Sequence, residues 1–334
     1  MSDVQPRSFA GATPDLAQSL EGVLRECCGG RLGHVDWFHS HHQRGGAATG
    51  FTTWRADSGE SLEVVVKLPV TPVEHRWTVA LGEIDPSRWG DRWAHGRPTP
   101  RVVAAGTALG GYDLAWLVLE RLAGPALSND RMCEQAALDL LRAAADFQAA
   151  AIHAAPLGPA PPSPDWERLL ERSRALCRTG GVSDAQKWND EVRRVQRALP
   201  VLRRRWESRP INAWCHGDLH PGNALRRPGP DGGCPCVLVD LALVHAGHWV
   251  EDALYLERQF WGHEKVLGIK PVPTLARLRR ERGLPADDSY GDLALVRRVL
   301  AAACAPALSE REGNPRYLRA AMEIIGRCLP QAMK

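Results

Sequence analysis

Cys215-His216-Gly217-Asp218-Leu219-His220-Pro221-Gly222-Asn223-Ala224 is the stretch on which the reading of this chain turns. It follows the apolar Ile211 to Trp214 and precedes a hairpin signature, Pro228-Gly229-Pro230-Asp231-Gly232-Gly233. It therefore reads as a polar loop between short strands. Beyond the hairpin, Asp240 closes the apolar run Cys236-Val237-Leu238-Val239. An Asp after a buried strand is expected at a cleft edge. Asp and Asn side chains offer hard oxygen ligands, which suit Mg²⁺.

Upstream of this loop the chain reads mostly as sheet. Leu16, Leu20 and Leu24 at four-residue spacing predict an amphipathic helix over 13–28, ended by Gly29-Gly30. Strands are expected over 32–42, 51–55, 62–68, 101–104 and 114–119. Thr71-Pro72-Val73-Glu74 has the form of a helix start, with Glu74 as a capping residue. After residue 122 the composition turns helical. Helices are expected over 131–153, 185–207 and 248–262, then near 291–303 and 315–328, with a Pro-rich loop at 156–165. The expected fold class is α+β. A β-rich lobe spans 1–122 and a helical lobe, with the hairpin inside it, spans 123–334.

Composition narrows the function classes. With 334 residues and 44% hydrophobic content, a sizeable core is expected. A net charge of +3 is too mild for a nucleic-acid binder. No run of roughly 18 apolar residues predicts a membrane span, and Met1 to Gln5 lack the features of a secretory signal. Nine scattered cysteines suit free thiols in a reducing cytoplasm.

Phosphoryl transfer needs few parts: a carboxylate to orient the attacking hydroxyl, ligands for Mg²⁺, and a Lys against the phosphate charge. Asp218 suits the first role, Asn223 and Asp240 the second, and Lys67, on the predicted strand Leu62–Leu68, the third.

The pattern His216-Gly217-Asp218-x-x-x-x-Asn223, Val239-Asp240, then Gly247-x-x-x-x-Asp252 resembles the aminoglycoside phosphotransferase and choline kinase superfamily. The resemblance spans about residues 30–262. It implies a bilobal protein-kinase-like fold with its active site in the cleft, ATP or GTP and Mg²⁺ as cofactors, and a small hydroxyl compound as acceptor. It implies that Leu117–Gly124 is the hinge, with the backbone at Glu120 and Leu122 holding adenine. Arg44–Gly50 would be the phosphate-covering loop. A helix Glu would pair with Lys67; Glu74 and Glu83 compete, and Glu83 is nearer the family spacing. Asp252 would brace the catalytic loop. Gly217 stands where protein kinases have Arg, and no Ala-Pro-Glu motif follows Asp240, which implies small-molecule chemistry.

Rival readings attach to the same residues. A scaffold that binds nucleotide without turnover is one. Structural zinc is another, because Cys215, His216, His220, Cys234, Cys236, His245 and His248 crowd together. However, Cys234-Pro235-Cys236 lacks the usual ligand spacing, so these residues are expected to be bystanders. His216 is expected to be structural. From Glu264 to Lys334 there are 13 Lys/Arg against 8 Asp/Glu. A basic face does not suit a polycationic aminoglycoside, so a neutral or anionic acceptor is expected. Trp249, Tyr255, Phe260 and Trp261 either wall the acceptor pocket or pack the helix, with packing expected for at least two.

Overall fold

The computed structural model describes residues 13–38, 47–82, 97–179, 182–228, 235–308 and 314–334. The chain divides into two compact units. The first comprises 1–125 and 225–244; the second comprises 126–224 and 245–334.

The first unit is built on a five-stranded antiparallel sheet, ordered β1-β2-β3-β5-β4. Its strands are β1 (Asp36–Phe38), β2 (Ala48–Arg55), β3 (Ser61–Val70), β4 (Val102–Gly106) and β5 (Ala115–Glu120). Two helices join it, α1 (Thr13–Cys27) and α2 (Pro72–Gly82). Val64, Val66 and Leu68 alternate inward along β3, whereas Val70, beyond a register shift after Lys67, packs with Ala115, Leu117 and Leu119. Burial of such side chains contributes roughly 1.5–3 kcal/mol each, and a one-residue slip would turn Val64, Val66 and Leu68 outward together. The same alternation places Lys67 on the opposite face.

The buried face of α1 differs from the expected Leu16–Leu20–Leu24 stripe. Leu16 is 42% exposed, whereas Ala17, Glu21, Leu24 and Cys28 face inward. The face rotates because the Glu21 carboxylate accepts from His34 Nδ1, the Val35 N–H and Trp37 Nε1 at 2.7–3.1 Å. Those three bonds satisfy an acid that would otherwise be costly to bury.

Residues 225–244 group with this first unit rather than with the helical one. β7 (Ala224–Arg226) pairs with β8 (Cys236–Leu238). Arg227 donates to the carbonyls of Arg97 and Thr99 and to Glu120, and the Leu238 N–H donates to the Pro98 carbonyl. The 3-10 turn Leu241–Leu243 packs on α2.

The second unit is helical, with α3 (Glu134–Ala154), α4 (Trp166–Arg178), α5 (Ala185–Glu207), α6 (Val250–Gln259), α7 (Pro271–Glu281), α8 (Tyr290–Ala303) and α9 (Pro315–Ala332). A short ladder joins β6 (Ala213–Cys215) to β9 (His245–Gly247). The core is formed by α4, α5, α8 and α9. Along α5, Trp188, Val192, Val195, Leu199, Leu202 and Trp206 repeat at helical spacing and are all buried. The 156–165 stretch is loop, as its prolines dictate.

Candidate active site

The second unit carries the catalytic-loop candidates. β6 ends at Cys215, and the chain turns at Gly217, where φ is +82°. Only glycine adopts that conformation freely. The turn is held from below by Asp252, which is fully buried at the start of α6. One Asp252 oxygen accepts from the His216 N–H and the other from the Gly217 N–H, each at 3.0 Å. Gln148 Nε2 donates to Asp252 at 2.8 Å, and the fully buried Arg279 donates to Gln148 Oε1 at 2.6 Å. Arg279 also donates to the carbonyls of Asn212 and Pro285. Burial draws its pKa down to about 10, against the pull of Asp252 and Asp287, and leaves it a cation at neutral pH. His216 is fully buried, meets Phe147 edge-on, and accepts from the Asp218 N–H.

Asp218 is half-buried. Burial alone would raise its pKa, but hydrogen bonds from His220 and Tyr255 and the charges of His220 and His216 outweigh it. The carboxyl is held at about 2. His220 is oriented by a local constraint: its Nδ1 accepts from the Gly222 N–H at 3.0 Å, so Nε2 is the nitrogen facing Asp218, 3.5 Å away. Asn223 is buried, and its Nδ2 donates to the Asp218 carbonyl and carboxylate, both at 3.1 Å. Two acceptors on one side fix the amide orientation and turn Oδ1 the other way.

The first unit carries the remaining candidates. Lys67 lies on β3, opposite Thr49 on β2 and Leu117 on β5. Its Nζ forms an ion pair with the buried Glu74 carboxylate. The cap of α2 is instead Thr71, whose Oγ1 accepts from the Glu74 N–H at 3.1 Å. Glu74 is therefore the partner of Lys67 and not the helix cap; Glu83 lies outside the described residues. Of the expected covering loop, Ala48–Gly50 belong to β2 and pair with Val66–Leu68, and residues 44–46 lie outside the described residues. At Gly50 a Cβ would lie 2.3 Å from Val35 Cγ1, so glycine there serves strand packing.

Glu120 ends β5, and Leu122 follows it by two residues. The Glu120 N–H donates to the Arg101 carbonyl and the Arg121 N–H to the Glu63 carbonyl. The Glu120 carboxylate accepts from Arg227 and from the Arg101 N–H. Asp240 has φ +63°, a left-handed backbone that is uncommon outside glycine. Its half-buried carboxylate has no hydrogen-bond or ion-pair partner among the described residues. An unspent carboxylate oxygen in the first unit and an outward-turned amide oxygen in the second are the donor types that Mg²⁺ takes.

The zinc reading meets a different arrangement. Cys215, His245 and Glu251 do gather, their ligand atoms within 4.8 Å of one another. The Cys215 thiol is spent on the His248 carbonyl, and Glu251 Oε1 accepts from Arg209 Nε at 3.1 Å. A thiol pushed well up by burial and a carboxylate neutralised by arginine are poor zinc ligands. Trp249, Phe260 and Trp261 are buried in packing, whereas Tyr255 is the aromatic residue that reaches Asp218.

No match was found among curated proteins. Solved structures that share the fold include these two. One is a Ralstonia eutropha protein assigned to the aminoglycoside phosphotransferases: TM-score 0.54, 15% identity, 92% of this chain and 98% of that one covered. The other is the amicoumacin kinase hAmiN: TM-score 0.53, 13% identity, 94% and 95% covered. The fold is thus α+β and protein-kinase-like. The family model for the phosphotransferase enzyme family matches residues 92–288, which include Asp218, Asn223, Asp240 and Asp252. With more than half its length matched, the chain belongs to the phosphotransferase enzyme family.

Proposed function

We propose that this protein is a small-molecule kinase that transfers the terminal phosphoryl group of ATP or GTP to a hydroxyl, with Asp218 as the base. The observation that carries this reading is the Asp218 carboxylate itself. It is half-buried yet ionised, fixed by Asn223, His220 and Tyr255, on a loop pinned through Asp252.

A carboxylate with a pKa of about 2 is a weak base. That suits a loose phosphoryl transition state, in which the hydroxyl loses its proton late. Asp218 would chiefly orient the hydroxyl and attract its proton as the new P–O bond forms. Lys67, held by Glu74, would neutralise phosphate charge. The adenine edge needs one acceptor and one donor, roles the reading gives to the Glu120 carbonyl and the Leu122 N–H. Asn223 Oδ1 and the Asp240 carboxylate are the oxygens that would hold Mg²⁺, which when bound offsets phosphate charge. A scaffold without turnover would have no use for the oriented Asp218.

The test is Asp218→Asn, assayed for phosphate transfer over a panel of alcohols, sugars and antibiotics. A fall of about 10²–10⁴-fold in kcat is expected for loss of a general base, with nucleotide binding retained. Unchanged transfer would remove Asp218 from the mechanism.

A further inference from the structure

The catalytic loop is pinned from α6, and the first turn of α6 is itself held by a histidine. Trp249, in the capping position, makes no side-chain cap. The Val250 N–H, which opens the helix and has no partner within it, donates to Nδ1 of His248 at 3.2 Å. Glu251 reaches back, and its Oε1 accepts from the His248 N–H at 2.9 Å. The two residues form a reciprocal cap of the capping-box kind, with an imidazole where a hydroxyl usually stands. The next residue is Asp252, whose carboxylate holds the His216 and Gly217 N–H groups. The Cys215 thiol, at the end of β6, donates to the His248 carbonyl at 3.3 Å. The imidazole and the carboxylate that pins the loop therefore share one helical turn.

Both ring nitrogens of His248 are committed, and its side chain is fully buried. Nδ1 faces an N–H and so carries no proton. The proton sits on Nε2, which donates to Asp287 Oδ1 at 2.9 Å. Only the neutral ring fits this arrangement. A second proton lands on Nδ1 and sets two donors against each other, so the Val250 bond breaks while the Asp287 contact survives. The charge around the ring is mixed. Asp287, ahead of α8, and Glu251 favour the cation, whereas Arg279 from α7 opposes it. Arg209 and His245 meet Glu251, and Asp252 is spent on the loop and on Gln148. The Cys215 thiol is kept neutral by burial, and the Trp249 ring packs at 5.5 Å. Burial outweighs the two carboxylates and draws the imidazole below its ordinary value of about 6.5.

We propose that His248 is a positioning residue of the catalytic loop and a proton-operated latch. Neutral, it holds the first turn of α6 and thereby the Asp252 carboxylate under Gly217; protonated, it releases Val250 and the loop slackens. The held loop carries the neutral ring. The pin is therefore complete above the ordinary histidine range and is lost as pH falls through the lowered value. His248 is thus the source of an acid limb in turnover. That last step rests on the kinase reading, whereas the latch is a property of the helical unit alone.

Two variants of the full chain separate the latch from plain packing. His248→Asn keeps an acceptor for the Val250 N–H, since asparagine is a good helix cap, but takes no proton. Asp287→Asn keeps an acceptor for Nε2 and removes the charge that favours the cation. Hydrogen exchange of the His216 and Gly217 amides, corrected for intrinsic rate, reads the loop from about pH 8 to about pH 5. Ring-carbon NMR reads His248, identified as the signal lost in His248→Asn. In the wild type, protection should fall by about fivefold or more as His248 titrates, the loss of one buried hydrogen bond. That fall should vanish in His248→Asn and move about one unit lower in Asp287→Asn, the shift that loss of a neighbouring charge produces. Where an acceptor from the alcohol, sugar and antibiotic panel is phosphorylated, the acid limb of its kcat should follow the same order. A ring that stays neutral down to about pH 5, a titration without change in protection, or a fall shared by all three proteins overturns the proposal. Should His248→Asn not fold, Asp287→Asn decides alone, and a fall that stays put or moves to higher pH is the overturning result. A pH-dependent loop without phosphate transfer at any pH keeps the latch and sinks the kinase reading. Transfer with a pH-independent loop does the reverse.

Discussion

Asp218 shows how little of a catalytic residue resides in its own identity. The loop sequence marks it as a base, but its state is set by His220, two positions on, and Tyr255, on a distant helix. In sequence His220 is expected to be a bystander. Its orientation follows from a 3-10 turn at Pro221–Asn223, whose Gly222 N–H occupies Nδ1. No residue spacing displays that bond. Gly217 also changes meaning: in sequence it marks a missing arginine, and in structure its φ of +82° excludes a strain-free side chain. His220→Ala should raise the Asp218 pKa, because it removes the leading interaction that offsets burial. A carboxyl-carbon NMR titration checks the direction; a pKa unmoved or lowered would remove His220 from this role. In the wild type, Asp218 ionisation is complete above the ordinary carboxylate range and is lost only as pH falls through about 2. Any acid limb of kcat/KM near pH 5–6 must therefore arise elsewhere.

At the scale of elements, alternation along β3 is legible in sequence and places Lys67 away from the core. Its partner is not legible. Glu74 stands where a capping box would put an acid, but Thr71 makes the cap and leaves that carboxylate for Lys67. Glu74→Gln should release Lys67 and raise KM for the nucleotide by roughly tenfold, the worth of about 1.4 kcal/mol. KM for the acceptor should hardly move, and steady-state kinetics with each substrate varied separates the two. Equal effects would detach this pair from nucleotide binding. No element is expected over 166–178 or 271–281, yet α4 and α7 form there. In α4 the stripe Trp166, Leu170, Ser173 and Cys177 is interrupted by a serine and surrounded by charge. In α7 the inward residues include Arg279, a charge that sequence periodicity assigns to the surface. The helix forms because that guanidinium finds Gln148 and two backbone carbonyls inside.

For the whole molecule, the α+β class and the order of sheet before helices are legible because hydrophobic period and composition change together near residue 122. Buried charge in the helical unit is not legible, since partners lie far apart in sequence. Burial would raise the Glu251 pKa, but His245, Arg297, Arg209 and the His248 N–H hold it at about 2. A lowered carboxylate stabilises the fold above its unfolded pKa, about 4.3. That contribution is lost as pH falls through about 2. Glu251→Gln should destabilise the protein at pH 7 by about 3–5 kcal/mol, the cost of breaking a buried ion pair. The deficit should shrink as the pH is lowered from about 4 towards 2. Denaturant unfolding at several pH values reads both, and a pH-independent deficit would count against the charge argument.

The division into units departs from a single joint at 122. The chain passes from the first unit to the second after Pro125, returns at Leu225, and leaves again after Val244. Asp240 therefore groups with the sheet that bears Lys67, although the 99 residues 126–224 of the helical unit separate them in sequence. One consequence concerns inheritance. A single genetic crossover near residue 125 between this gene and a relative would give the new sheet a foreign 225–244 strip, mismatched at Arg227, Glu120 and Pro98. Exchanging a whole unit takes three joints. The two units are thus constrained to diverge as one gene, and shuffled libraries should place their breakpoints at all three boundaries together.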